Sequence, residues 1–132
     1  MSTTDPPCIL SVEDNPDTRF LLKHLLDESY DLTLAPGVDE ALDAVESTSF
    51  DLLLLDIHLG SGTEGTELLH TIRSREDIEE VPAIALTAYI LPSDSQELLD
   101  EGFDAYVSKP FTSAELTEAI DQTLSGGVES IA

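Results

Sequence analysis

Phe50-Asp51-Leu52-Leu53-Leu54-Leu55-Asp56 is the stretch on which the fold turns. A strand points alternate side chains to opposite faces, so a strand with one wet face alternates apolar and polar residues. Residues Phe50–Leu55 are nearly all apolar instead, the pattern of a central strand covered on both faces, as in parallel sheets. The run stops at an acid, Asp56.

Working outward from this strand, the chain punctuates itself clearly. Cys8–Val12 is another apolar run and ends in Glu13-Asp14. Asn15-Pro16-Asp17 reads as a helix start, because proline suits the first turn and an acid suits the positive end of the helix dipole. Phe20, Leu21, Leu22, Leu25 and Leu26 are expected on its apolar stripe. Tyr30–Ala35 is a short strand stopped by Pro36-Gly37, and Val38–Glu46 is a helix with Val38, Ala41, Leu42 and Val45 on one face. After Asp56, Gly60-Ser61-Gly62 is a loop, followed by a helix through Leu68, Leu69 and Ile72. Pro82–Thr87 is a strand, Ser95–Glu101 a helix stopped at Gly102, and Ala105–Ser108 the last strand. Thr112-Ser113-Ala114-Glu115 is a capping box that opens a final helix carrying Leu116, Ala119, Ile120 and Leu124.

Five strands alternating with five helices imply βαβ units, right-handed crossovers and a doubly wound parallel sheet with helices on both faces. The expected fold class is α/β, a flavodoxin-like (βα)5 arrangement, its strand order 2-1-3-4-5 being the common solution at this size. With 132 residues the chain is near the mode for one domain. Residues 1–7 and 126–132 are expected to be flexible ends around a domain spanning 8–125. No apolar run approaches the ~20 residues needed to cross a membrane. Met1 to Pro7 lack the basic-then-apolar pattern of a signal peptide, so a soluble, cytoplasmic protein is expected. Cys8, the only cysteine, excludes an internal disulfide and is expected to be a small buried hydrophobe.

Charge is the unusual feature. Five Lys and Arg stand against 28 Asp and Glu, a formal net charge of −23. Acids occur in every third of the chain, and such a field repels phosphate backbones, so no direct nucleic-acid binding is expected. High net charge can signal disorder, but the regular apolar periodicity opposes that reading. Adaptation to concentrated salt, which would screen the self-repulsion over a few ångströms, is the preferred one.

In open parallel sheets ligands bind beyond the carboxyl ends of the strands. There the first strand delivers Glu13 and Asp14, the third Asp56, the fourth Thr87 and the fifth Lys109. With the first and third strands adjacent, three carboxylates would meet. Two unit charges about 4 Å apart repel by ~4 kcal/mol at an effective dielectric of ~20. Either one acid keeps its proton or a cation neutralises the cluster. The donors are hard oxygens, which select Mg²⁺ or Mn²⁺ over zinc. Acids, a divalent ion, the Lys109 ammonium and the Thr87 hydroxyl suit a transferring phosphoryl group, with Asp56 as its nucleophile. Taken singly, Asp14 is an ordinary helix cap, Lys109-Pro110 an ordinary turn and Thr87 an ordinary strand end. The specificity lies in their joint arrangement, and in Lys109 being one of only two lysines in the chain, the other being Lys23.

This set resembles the receiver domain of bacterial and archaeal response regulators. The motifs that carry the resemblance are Val12-Glu13-Asp14-Asn15, Leu54-Leu55-Asp56, Leu86-Thr87-Ala88, Gly102-Phe103-Asp104-Ala105-Tyr106 and Lys109-Pro110-Phe111. The resemblance implies that Asp56 accepts a phosphoryl group from a sensor histidine kinase or phosphotransfer protein. It implies that Asp14, Asp56 and the backbone carbonyl of His58 bind Mg²⁺, with Glu13 acting mainly through water. Lys109 would pair with the phosphoryl group, Thr87 would move to bond it, and Tyr106, at the switch-aromatic position, would turn inward. His58 and Tyr89 would tune phosphoryl lifetime. The expected result is a phosphorylation-dependent switch that alters its affinity for a downstream effector protein, a non-enzyme apart from assisting its own phosphoryl transfer and dephosphorylation, with no output domain. The chain departs from the family in the stretch Ile57 to Gly65, one residue longer than usual and without the usual proline.

Two other classes compete. A Mg-dependent phosphatase of the haloacid dehalogenase type also joins a nucleophilic Asp, a Thr or Ser, a Lys and Mg²⁺. It needs a second acid two residues after the nucleophile, where this chain has His58. A flavin module would use Ser61-Gly62-Thr63-Glu64-Gly65-Thr66 as a phosphate loop, but flavodoxins place that loop after the first strand and bring more aromatics.

Overall fold

The computed structural model describes residues 6–57, 65–74, 81–87, 99–100, 102–109 and 111–124, without the side chain of Thr66. The strands are β1 (Cys8–Val12), β2 (Asp31–Ala35), β3 (Leu52–Asp56), β4 (Ala83–Thr87) and β5 (Ala105–Ser108). The described helices are α1 (Pro16–Leu26), α2 (Val38–Ser47), α3 (Gly65–Arg73) and α4 (Ser113–Leu124). All strand pairs are parallel, in the expected order β2-β1-β3-β4-β5. The helix expected over Ser95–Glu101 falls mostly outside the described residues. Leu99 and Asp100 are helical, and Gly102 follows with φ 112°, the left-handed conformation that glycine adopts at a helix end.

The leucine run packs as its pattern requires. Leu53 and Leu55 join Leu10, Val12, Ala83 and Ala85 on one face, under Ala41 of α2 and Leu68, Leu69 and Ile72 of α3. Leu52 and Leu54 join Ile9, Ile84, Leu86 and Val107 on the other, under Leu22 and Leu26 of α1 and Leu116 and Ile120 of α4. Each face has its own core, so every residue from Leu52 to Asp56 is buried.

Helix starts follow local chemistry. Asn15 Oδ1 accepts from the N–H groups of Asp17 at 2.8 Å and Thr18 at 3.3 Å, with Pro16 in the first turn. These donors would otherwise lack partners. The capping box at α4 is reciprocal: Glu115 N–H donates to Thr112 Oγ1 at 3.1 Å and Thr112 N–H to Glu115 Oε1 at 3.0 Å.

Four expectations need correction. Phe20 and Leu21 are not on the buried stripe of α1; they are 73% and 41% exposed, while Leu22 and Leu26 are fully buried. Successive helical residues turn by about 100°, so Phe20 lies roughly 200° from Leu22 and cannot share its face. Cys8 is half-buried, with Sγ 3.6 Å from Asp31 Oδ2, because it starts β1 at the rim of the sheet. Tyr30 precedes β2; its hydroxyl donates to Asp121 Oδ1 at 2.8 Å, tying α4 to the α1–β2 connection and pushing its pKa up to about 12 through burial and that bond. Phe50 lies before β3, which starts at Leu52 and ends at Asp56 as expected.

No helix among the described residues is long and apolar enough to cross a membrane. Residues 1–5 and 125–132, on which the expected flexible ends largely fall, and the Gly60–Gly62 loop lie outside the described residues.

Candidate functional site

Parallel pairing delivers the site residues to one end of the sheet. Val12 pairs with Leu55, so Glu13 and Asp14 leave β1 beside Asp56 at the end of β3. Asp56 pairs with Leu86, so Thr87 follows on β4, and Thr87 pairs with Ser108, next to Lys109. The Lys109 N–H donates to the Thr87 carbonyl at 2.8 Å, which holds the start of the lysine's turn against β4.

Carboxylate oxygens of Glu13, Asp14 and Asp56 all lie within 4.8 Å of one another. Glu13 is fully buried and Asp56 is 5% exposed; Asp14 lies nearer solvent. Lys109 Nζ stands 3.0 Å from Glu13 Oε1 and 3.3 Å from Asp56 Oδ2. One ammonium thus faces two buried carboxylates, with a third beside them. The imbalance is visible in Glu13, whose pKa is pushed up to about 7 by burial and by its hydrogen bond to Asp56. Burial opposes the charge on Lys109, but the Glu13 and Asp56 carboxylates outweigh it and hold the amine above its usual range.

Three clustered oxygen donors, two of them buried, with a carboxyl that retains a proton near neutrality, fit a hard divalent cation. The cation would replace the proton and relieve the repulsion.

The structure also brings in residues that the sequence reading did not single out. Arg19 Nη1 donates to the Glu13 carbonyl at 3.0 Å, and the Asn15 N–H donates to Glu13 Oε2 at 3.2 Å. Gly65, the first residue of α3, presses on the carbonyl oxygen of Asp56, where a Cβ would collide with backbone. Its N–H donates to the Ile57 carbonyl at 2.8 Å. A signal for Arg19 existed: in a chain with five Lys and Arg, a cation five residues after the acid pair is as unusual as Lys109.

Of the other expected residues, Thr87 is buried at the carboxyl end of β4 and Tyr106 is 39% exposed on the edge strand β5. His58 and Tyr89 lie outside the described residues.

Comparison with known proteins shows the family. The family model described as response regulator receiver domain matches residues 9–121. An uncharacterized 14.6 kDa protein of Leptolyngbya boryana is 40% identical over 123 residues, covering 92% of this chain and 93% of its own. The polar-differentiation response regulator DivK of Brucella anthropi is 30% identical over 120 residues, covering 90% and 97%. The chain spans only 8% to 13% of the length of the sensor-kinase relatives it also matches. Among solved structures, the receiver domain of a sensor histidine kinase of Pseudomonas aeruginosa, with magnesium coordinated in its active site cleft, is 32% identical with a TM-score of 0.81, covering 91% of this chain and 98% of its own. This chain belongs to the response regulator receiver domain family.

Proposed function

We propose that this protein is a phosphorylation-dependent signalling switch whose phosphoacceptor is Asp56. The observation that carries the reading is the ammonium of Lys109 held 3.0 and 3.3 Å from Glu13 and Asp56, within a cluster of three acids at the strand ends.

Asp14 and Asp56, with the backbone carbonyl of His58, would hold Mg²⁺ or Mn²⁺, and Glu13 would act on the ion mainly through water. When bound, the ion supplies positive charge to phosphoryl oxygens. An Asp56 carboxylate oxygen attacks phosphorus, the bond to the donor's leaving atom breaks, and an acyl phosphate forms. Lys109 exchanges its contact with the Asp56 carboxylate for the new phosphoryl oxygens. Thr87 donates its hydroxyl to them, and the space it leaves lets Tyr106 turn inward, a small bistable element biased by a local charge event. The donor is a sensor histidine kinase or a phosphotransfer protein, and the readout is altered affinity for an effector protein. His58 and Tyr89 set how readily water reaches the acyl phosphate. Turnover of phosphomonoesters is not expected.

Incubation with acetyl phosphate and Mg²⁺, followed by intact mass measurement, tests the reading. The wild type should gain one phosphoryl group and Asp56→Asn none. Labelling that survives Asp56→Asn would remove Asp56 from the role.

The protein is read as cytoplasmic, and its charge of −23 supports adaptation to concentrated salt, where screening relieves self-repulsion. Its melting temperature should climb as KCl rises to molar concentration; a fall would count against the adaptation.

A further inference from the structure

Asp14 sits between two peptide groups that are both tied down. The Glu13–Asp14 peptide offers its carbonyl to Arg19 Nη1 at 3.0 Å. The Asp14–Asn15 peptide donates its N–H to Glu13 Oε2 at 3.2 Å. A peptide plane is rigid, so holding the planes on both sides of one Cα restricts that residue's φ and ψ and the direction of its Cα–Cβ bond, from which the carboxylate must reach. The turn is anchored further by the Glu13 N–H, which donates to the Ala35 carbonyl at 3.0 Å, and by Glu13 Oε1, which takes Lys109. Arg19 belongs to α1, whose start is built on the same turn: the Arg19 N–H donates to the Asn15 carbonyl at 3.0 Å.

We propose that Arg19 is a positioning residue for the divalent-cation site. It acts through the Glu13 carbonyl to aim the Asp14 carboxylate at the point shared with Asp56. This rests on the reading above that the acids take Mg²⁺. Arg19 need touch neither the ion nor the phosphoryl group. Its charge and its geometry push in opposite directions, which makes the two separable. A guanidinium near a cation site repels the cation, so removing it by charge alone would tighten binding. Removing a bond that orients a ligand loosens binding, typically by about tenfold or more.

The test is a Mg²⁺ titration of the full chain at fixed ionic strength, followed by the amide NMR shifts of Asp14 and Asp56. It compares the wild type with Arg19→Leu, Arg19→Lys, Arg73→Leu and Asp14→Asn, well below each melting temperature. Arg73 makes similar bonds to backbone carbonyls at the opposite end of the sheet, to Gly102 at 2.7 Å and Val81 at 2.8 Å. Arg19→Leu should weaken Mg²⁺ binding about tenfold. Arg19→Lys, which keeps the charge and one donor, should recover part of the loss and serves alone if the leucine variant does not fold. Arg73→Leu should leave the affinity unchanged. Binding by Arg19→Leu as tight as or tighter than wild type overturns the proposal, and so does an equal loss in Arg73→Leu. If Asp14→Asn loses Mg²⁺ while Arg19→Leu keeps it, Arg19 alone is misassigned. If the wild type does not bind Mg²⁺, or Asp14→Asn binds it equally, the proposal and the metal-site reading fall together.

Discussion

At the amino ends of β4 and β5, Arg73 meets one carboxylate and two carbonyls; at the carboxyl ends of β1 and β3, Lys109 meets two carboxylates with a third beside them. The first group is closed. Arg73 donates to the carbonyls of Val81 and Gly102, and its Nη2 lies 3.4 Å from Asp104 Oδ2. Asp104 in turn accepts from the Ala83 N–H at 2.9 Å and donates its own N–H to the Ala83 carbonyl at 2.8 Å. One positive charge answers one negative charge, and the bonds join α3, β4 and the approach to β5. The second group is open in the electrostatic sense. It carries surplus negative charge that Lys109 alone does not neutralise, and Glu13 responds by holding a proton up to about pH 7. A matched cluster fastens segments together, whereas a mismatched one is prepared to exchange a proton for an ion.

The largest effect should come from opening the closed end. Arg73→Leu keeps the aliphatic packing but removes the partner of the Val81 and Gly102 carbonyls, while Asp104 keeps its bond from the Ala83 N–H. Leaving such partners unsatisfied costs about 2–3 kcal/mol. Urea unfolding should show that loss, while acetyl phosphate still labels Asp56. A variant that keeps its stability, or one that loses labelling while folded, would erase the distinction between the two ends.

These two ends differ also in how far the sequence discloses them. The leucine run over residues 52–55 announces a strand buried on both faces, because apolar residues at both parities leave no wet face. Asn15-Pro16 and Thr112 to Glu115 announce helix starts, because cap bonds join residues two or three apart and are local by nature. The acid site is legible for a related reason. Each member sits at the end of an apolar run, and parallel pairing collects the ends. Arg73 and Asp104 carry no such mark. They are 31 residues apart, and bonds from Arg73 to main-chain carbonyls and from a main-chain N–H to Asp104 leave no pattern in side-chain chemistry. Arg19 has a carbonyl as partner, which every residue possesses, so only its rarity as a cation close after the acid pair marks it. Phe20 and Leu21 mislead because five apolar residues in α1 suggest one stripe, although helical geometry separates Phe20 from Leu22. Gly65 needed the third dimension: only the approach of α3 to the Asp56 carbonyl reveals what a Cβ would strike.

A smaller effect, opposite in character, should appear at the open end when pH changes. Glu13 titrates near 4.5 when unfolded and near 7 in the folded, metal-free protein, chiefly through burial and then through its hydrogen bond to Asp56. Between those values the folded state binds more protons than the unfolded state, so this group's contribution to stability is full below about 4.5 and declines as pH rises to about 7. Comparing the wild type with Glu13→Gln in EDTA isolates it, since the other titrating groups are shared. The stability difference, wild type minus variant, should shrink or turn negative from about pH 5 to about pH 8. Mg²⁺ should compete with the same proton, so the wild-type affinity for the ion should rise over that range and then level off. Arg73→Leu should show the wild-type pH response, because it leaves Glu13, Asp56 and Lys109 untouched at the other end of the sheet. If the difference between wild type and Glu13→Gln is flat across that range, the surplus charge is being absorbed by some group other than Glu13, and the contrast between the two ends would have to be drawn from geometry alone.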